Sequence, residues 1–319
     1  MHRYRELIHM CIFIGIVILV LQSNNNFLHV DQLNISPLST PVHKMNQDSL
    51  YQNIQKKSST YFKKPDDAYI DKIWKKTPGR NGLKVDVHKS FEKMNKKGVF
   101  NDSLLVYEEV SPDVSLKDLP PAPIYRGHPD KQMVSFLINV SWGDEYIPDL
   151  LDILKEHQVK ATFFIEGRWA KEHPNLVKMI DEQNHIIGNH AYNHPNMEQL
   201  AKEDIVEQIS QTNNVLKAIT SKTPKYFAPP SGSFNDQVVK EVHALNMETI
   251  LWTVDTIDWK NPSPQVMRDR VMNNIHPGAT ILMHPTSSIV QGLDSLIEEI
   301  EDDAYKIGTI DELLSEARE

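Results

Sequence analysis

The stretch LLDILKEHQVKATFFIEG, Leu150 to Gly167, decides the fold. Leu150, Leu151, Ile153 and Leu154 share one helical face, and ATFFI is too short for a helix. A helix feeding straight into a short apolar strand is the repeating unit of a parallel α/β fold. The same rhythm runs on either side. VSFLINV, HIIGNH, YFAPP, ETILWTVD, ATILMHP and YKIGT alternate with amphipathic stretches at Tyr146–His157, Asn175–Gln183, Glu203–Ile219, Asn235–Leu245, Pro264–Asn274 and Ser287–Glu301. About seven parallel strands in this order predict a (β/α) barrel rather than a sandwich. In such barrels the chemistry sits at the C-terminal ends of the strands.

Upstream of residue 125 the pattern is different. Arg3 and Arg5 precede an uncharged apolar run from Leu7 to Leu21, with no small-x-small cleavage site after it. That order predicts an uncleaved membrane anchor over residues 1–30 with the remainder outside the cytoplasm; secretion after signal cleavage is the alternative. Residues 31–65 are rich in Asn, Gln, Ser and Lys and read as a linker. Residues 66–124 read as a small α+β accessory region, with a strand at Leu83–Val87, a helix ending at Gly98, and the strand-like LLVYEEV. Residues 41–100 carry fourteen Lys and Arg against six Asp and Glu, in a chain of net charge −9. Such a basic face near a membrane suits anionic lipid or wall polymer, although scattered lysines also serve simply as a solvated surface. Nucleic acid is not an expected partner. Leu119–Pro120–Pro121–Ala122–Pro123 marks a stiff boundary before the barrel of residues 125–319. Cys11, the only cysteine, excludes intramolecular disulfides and cysteine-based metal or redox sites.

The strand ends carry the candidate site. GNHAYNHP, Gly188 to Pro195, places His190 and His194 four residues apart, a spacing at which two imidazoles can meet one cation. Around them, in order, stand Asn139–Val140–Ser141–Trp142–Gly143, FAPPSGSFN from Phe227, DTIDW from Asp255, and LMH ending at His284. This series, together with LLDILKEHQVKATFFIEG, resembles the polysaccharide deacetylase family, the NodB-homology domains of carbohydrate esterase family 4, over roughly residues 130 to 315. The resemblance implies a deformed (β/α) barrel that hydrolyses N-acetyl groups on amino-sugar polymers with a divalent metal, zinc first and cobalt or nickel next. It implies His190 and His194 as metal ligands, His284 as general acid oriented by Asp258, and Trp259, Leu282 and Pro230 along the substrate groove.

Three positions depart from the family pattern. Its first motif, T-F-D-D-G, supplies a general base and a metal-ligating Asp; here these are Ser141 and Trp142. The Arg that opens its third motif and orients the base is Ala228. A metal-bound water needs a base to take its proton and the amine needs an acid on leaving, so the acid half is kept and the base half is lost. Asp144, just past Gly143, is a candidate substitute ligand; both it and Glu145 also suit plain turn positions. Trp259 and Trp142 equally suit packing, and Asp258 a turn. Two functions follow: a wall-directed deacetylase with impaired catalysis and a weakly held metal, or a non-catalytic glycan- or wall-binding relative.

Overall fold

Leu50 and Ile54 lie one helical turn apart on α1 (Val42–Ser58) and are buried against Val85, Met94 and Leu105. The computed structural model describes residues 42–318, so the apolar run at Leu7–Leu21 lies outside the described residues. From residue 42 onward the expected linker is corrected: the polar composition hides two apolar anchors, each worth roughly 1.5–3 kcal/mol on burial. Among the described residues no helix is long and apolar enough to cross a membrane.

Residues 66–124 hold two antiparallel strand pairs and a helix. Strand β1 (Tyr69–Asp71) pairs antiparallel with β2 (Lys75–Thr77). Strand β3 (Gly82–Val85) pairs antiparallel with β4 (Tyr107–Val110), and α2 (Val87–Asn95) connects towards it, its first turn capped by the Asp86 carboxylate on Lys89 N–H. This unit is fastened to the rest. Lys76 is fully buried, its Nζ 2.7 Å from Glu248. The Arg318 guanidinium reaches back to the carbonyls of Asn81 and Lys64 and to the Asp66 carboxylate.

The barrel is laid around β5 (Met133–Val140), buried along its whole length. Val134, Phe136, Ile138 and Val140 face the surrounding helices, whereas Met133 and Leu137 face the interior with Phe164. Strands β6 (Thr162–Ile165), β7 (Ile186–Asn189), β8 (Tyr226–Phe227) and β9 (Glu248–Thr249) follow in spatial order on one side. On the other side come β11 (Thr280–Met283) and β10 (Val254–Asp255), and β12 (Lys306–Gly308) pairs with the first half of β5. Every pairing in this sheet is parallel. The sheet has eight strands, not seven, because ETILWTVD is two.

The split has a local cause. Beyond Thr249 the edge of β9 is taken by the Pro-rich segment: Ile124 N–H donates to the Thr249 carbonyl and Leu251 N–H to the Ile124 carbonyl. Ile124, the residue just after the expected boundary Leu119–Pro123, is fully buried there, whereas Pro120 and Pro121 are exposed. Leu251 to Thr253 then cross over, and β10 joins β11. The barrel is a curled sheet whose gap is filled by Ile124.

Candidate active site

Register fixes which side chains meet at the C-terminal end of the sheet. Val140 is level with Ile165, Ile165 with Asn189, and Asn189 with Phe227. The next residue along each strand points inward, which puts Ser141, Glu166, His190 and Ala228 side by side in one layer. Of these four, Glu166 carried no signal of its own in the sequence, and it does not line the cleft described below. It is 3% exposed, and its neighbours TFFI read only as core.

His190 is almost fully buried, and its Nδ1 donates to the Ala228 carbonyl at 2.7 Å. A carbonyl only accepts, so Nδ1 carries the hydrogen and the Nε2 lone pair faces the cleft. Burial, followed by the nearby His194 ring, pushes the His190 pKa down to about 3, so the ring is neutral at pH 7. His194 stands at the more open rim, its ring centroid 5.1 Å from that of His190. Its backbone lies in the left-handed region at φ 57°, as does that of Ala191 at 61°.

The acid half is intact. His284 Nδ1 lies 2.9 Å from Asp258 Oδ1, and its backbone N–H donates to Asp258 Oδ2 at 2.8 Å. Thr286 and Thr256 bring hydroxyls to the same carboxylate, at 3.2 and 3.1 Å. Asp258 is 1% exposed, so these contacts hold a carboxylate that water does not reach. The turn presenting it bends through Ile257 at φ 52°, a conformation costly for a β-branched residue. With Nδ1 committed to Asp258, His284 Nε2 is the nitrogen available to the cleft.

Trp142 takes the place where the family pattern has a ligand. Its indole lies nearly parallel to the His284 imidazole, centroids 5.9 Å apart and planes at 10°. Gly143, next along, has φ 79°, and a Cβ there would sit 2.2 Å from the Pro285 carbonyl oxygen. The loop carrying Trp142 is therefore clamped against the loop carrying His284.

A cleft of about 430 Å³ gathers most of the expected residues: Ser141, Trp142, His190, His194, Trp259, Leu282 and His284, together with Asn139 and Asp255. Two expectations are corrected. Asp144 lies outside the cleft wall, because Gly143 in the left-handed region turns the chain into the short helix Asp144–Tyr146. Pro230 is buried behind the wall, and Ser231 lines it instead, at φ 53°. Trp252 also lines the cleft; inside an apparent strand, ETILWTVD, it carried no signal of its own. Three tryptophans thus border one cleft.

The residues present do not complete the implied metal site. Among the described residues no group of three or more His, Cys, Asp and Glu is placed to hold a metal ion. Two imidazoles supply part of a set that needs a third protein ligand. Glu166 does not fill the gap. Its Oε1 lies 3.4 Å from Arg168 Nε, and the Ser141 hydroxyl faces the carboxyl without hydrogen-bond geometry. Burial raises the Glu166 pKa, with Ser141 and Arg168 opposing.

The polysaccharide deacetylase family model matches residues 126–250, which hold Ser141, both cleft histidines and Ala228. The chain is 44% identical to the uncharacterized protein YlxY of Bacillus subtilis, over 99% of each chain. It is 32% identical to the peptidoglycan-N-acetylmuramic acid deacetylase PdaA of Bacillus subtilis, over 60% of this chain and 75% of that one. The chain belongs to the polysaccharide deacetylase family. Among solved structures it is similar to BA3943 of Bacillus anthracis, a CE4 family pseudoenzyme, at 53% identity and TM-score 0.79 over 85% of this chain and 96% of that one. A mutant of BA3943 with restored enzymatic activity matches at 52% identity and the same TM-score. The deformed barrel and the family expected from the strand ends both hold.

Proposed function

We propose that this chain acts at the cell wall on N-acetylated amino-sugar polymer, holding the glycan in its cleft with catalysis impaired. The observation that carries the reading is Trp142 stacked on His284, with Ser141 beside it where a base is needed. Loss of a general base alone lowers rate by roughly 10²–10⁴-fold, and the incomplete ligand set lowers it further. Peptidoglycan is the favoured polymer, since PdaA is a peptidoglycan deacetylase and BA3943 a pseudoenzyme of the same family. A divalent metal, zinc before cobalt or nickel, is held weakly through His190 and His194. The arginine-flanked apolar segment anchors the chain in the cell membrane with the barrel outside, and the basic stretch at residues 41–100 lies towards anionic wall polymer or lipid.

One observation favours a second reading, a deacetylase with a rebuilt base. Glu166 is a buried carboxyl with a raised pKa, level with Ser141 in the same inward layer. The test is acetate release from an N-acetylglucosamine oligomer with zinc, cobalt or nickel, beside sedimentation with purified peptidoglycan. Binding without release supports impaired catalysis. Release abolished by Glu166→Gln supports the rebuilt base.

A further inference from the structure

The accessory region meets the barrel at the end opposite the cleft. Lys76 pairs with Glu248, the first residue of β9. Trp74 packs beside Tyr125 and His276, the latter just before β11, with ring centroids 6.1 and 6.5 Å away. The Glu316 carbonyl accepts from Asn81 N–H, and Arg318 donates to the Asn81 carbonyl. Both residues follow the short helix Ile310–Leu314, whose first N–H donates to the Thr162 hydroxyl at the start of β6. These contacts lie at N-terminal strand ends, and the cleft lies at C-terminal ones. The eight residues of β5 separate the two, roughly 25 Å at about 3.3 Å per residue.

That far end carries an unusual surface. Seven of the eleven exposed large apolar side chains among the described residues fall in residues 42–124, less than a third of the described chain. Three of them, Tyr69, Ile70 and Ile73, stand on the β1–β2 hairpin. Ile73 is 70% exposed at its tip. The tip is held in place: Asp71 Oδ1 accepts from Ile73 N–H and Trp74 N–H at 2.7 and 2.8 Å. Lys72 and Lys75 flank Ile73 and are exposed. Elsewhere in the region Lys84 and Lys89 pair with Glu108 and Asp86. The Lys75 ammonium donates to the Lys72 carbonyl, and neither lysine has a carboxylate partner among the described residues.

An anionic wall polymer would suit these lysines but leave Ile70 and Ile73 in water. An anionic bilayer takes both, with apolar side chains at the headgroup boundary and ammonium groups at the lipid phosphates. The twenty residues 22–41, between the apolar run and α1, can span at most about 70 Å, so the proposed anchor keeps this end near lipid. We propose that the β1–β2 hairpin docks on an anionic phospholipid surface, turning the N-terminal end of the barrel to the membrane and the cleft to the wall. The amino-sugar units within reach are then those of assembled polymer, away from the bilayer, rather than units carried at the lipid surface. This rests on the membrane anchor proposed above.

The experiment uses the full chain with Cys11→Ser, which removes the only cysteine, and Ile73→Cys carrying a small fluorophore. The chain is reconstituted in phosphatidylcholine vesicles containing phosphatidylglycerol and a lipid with a nitroxide headgroup as quencher. A second chain carries the label at Asn193→Cys, exposed on the cleft rim. The label at position 73 should be quenched and the label at 193 should not, and added salt should weaken the quenching. Lys72→Gln with Lys75→Gln should lower the ratio of docked to undocked hairpin roughly thirtyfold, at about 1 kcal/mol per lysine near an anionic surface. A label that inserts by itself would not respond to these lysines, so unchanged quenching overturns the inference. Equal quenching at 193, or at 73 in phosphatidylcholine alone, also overturns it. No quenching at 73 in a chain that stays in the vesicles overturns it too, and leaves the hairpin to wall polymer or a protein partner. A chain that leaves the vesicles on alkaline washing overturns the anchor reading, and the inference with it.

Discussion

The Trp142 indole and the His284 imidazole lie parallel, 5.9 Å between centroids. One ring stands at a position where the family pattern has a metal-ligating carboxylate, and the other is its general acid. The side chain at the ligand position therefore also lies over the ring at the general-acid position. Their loops meet closely at Gly143 and Pro285.

Restoring the base half should create deacetylase activity. Ser141→Asp and Trp142→Asp with Ala228→Arg rebuild base, ligand and orienting cation together, since the acid half already has its Asp258 contacts. Acetate release should rise by two orders of magnitude or more, in line with the roughly 10²–10⁴-fold worth of a general base. Ser141→Asp alone should do far less, because Trp142 still fills the ligand position. A folded, metal-loaded triple variant without activity places the defect in the groove.

Zinc affinity should be low and should depend on both cleft histidines. His190 is neutral and aims Nε2 into the cleft, but among the described residues no third His, Cys, Asp or Glu joins it and His194. Calorimetry should give a dissociation constant well above nanomolar, and His190→Ala should remove binding altogether. Nanomolar binding that survives His190→Ala places the metal elsewhere.

Much of this was legible in the sequence, and the failures share a cause. Helix faces and buried strands showed because their apolar spacing is local. His190, His194, Asp258 and His284 showed because their spacing sits in a recognisable motif series. Glu166 and Trp252 did not. Glu166 comes beside Ser141 only because parallel register sets it level with Ser141 and His190. Trp252 faces the cleft only because Ile124, some 130 residues earlier, takes the edge of β9 and breaks an apparent strand. The α1 helix was missed for the same reason: Leu50 and Ile54 gain their partners from α2 and β3.

The tie between accessory region and barrel should be asymmetric to mutation. Lys76 is fully buried while the Glu248 side chain is 27% exposed. Glu248→Ala strands a buried ammonium and should cost about 3–5 kcal/mol. Lys76→Met replaces it with an apolar chain of similar length and should be close to neutral. Chemical denaturation of the two variants measures the difference; equal losses would show that the ion pair itself supplies the stability.

Acid should destabilise the fold partly through His185. Its ring is buried, Nδ1 accepts from Ala161 N–H, and Nε2 has no partner. Burial, then the Lys160 charge, lowers its pKa from 6.5 to about 4. The unfolded chain therefore binds this proton first, and stability falls as pH drops from about 6.5 to about 4. The contribution is on the order of 3 kcal/mol, with no effect above that window. His185→Asn keeps an acceptor for Ala161 and should flatten this part of the curve in melts taken across pH. An unchanged slope assigns the acid loss to other groups.

The central claim is that the cleft holds amino-sugar polymer but lacks the base half of the hydrolytic machinery. Acetate release by the unmodified chain, with zinc and an N-acetylglucosamine oligomer and against the triple variant run alongside, tests it most directly. The account predicts release by the unmodified chain at the level of the protein-free blank, and clear release by the triple variant. Release by the unmodified chain at an ordinary enzymatic rate, lost on Glu166→Gln, would contradict it.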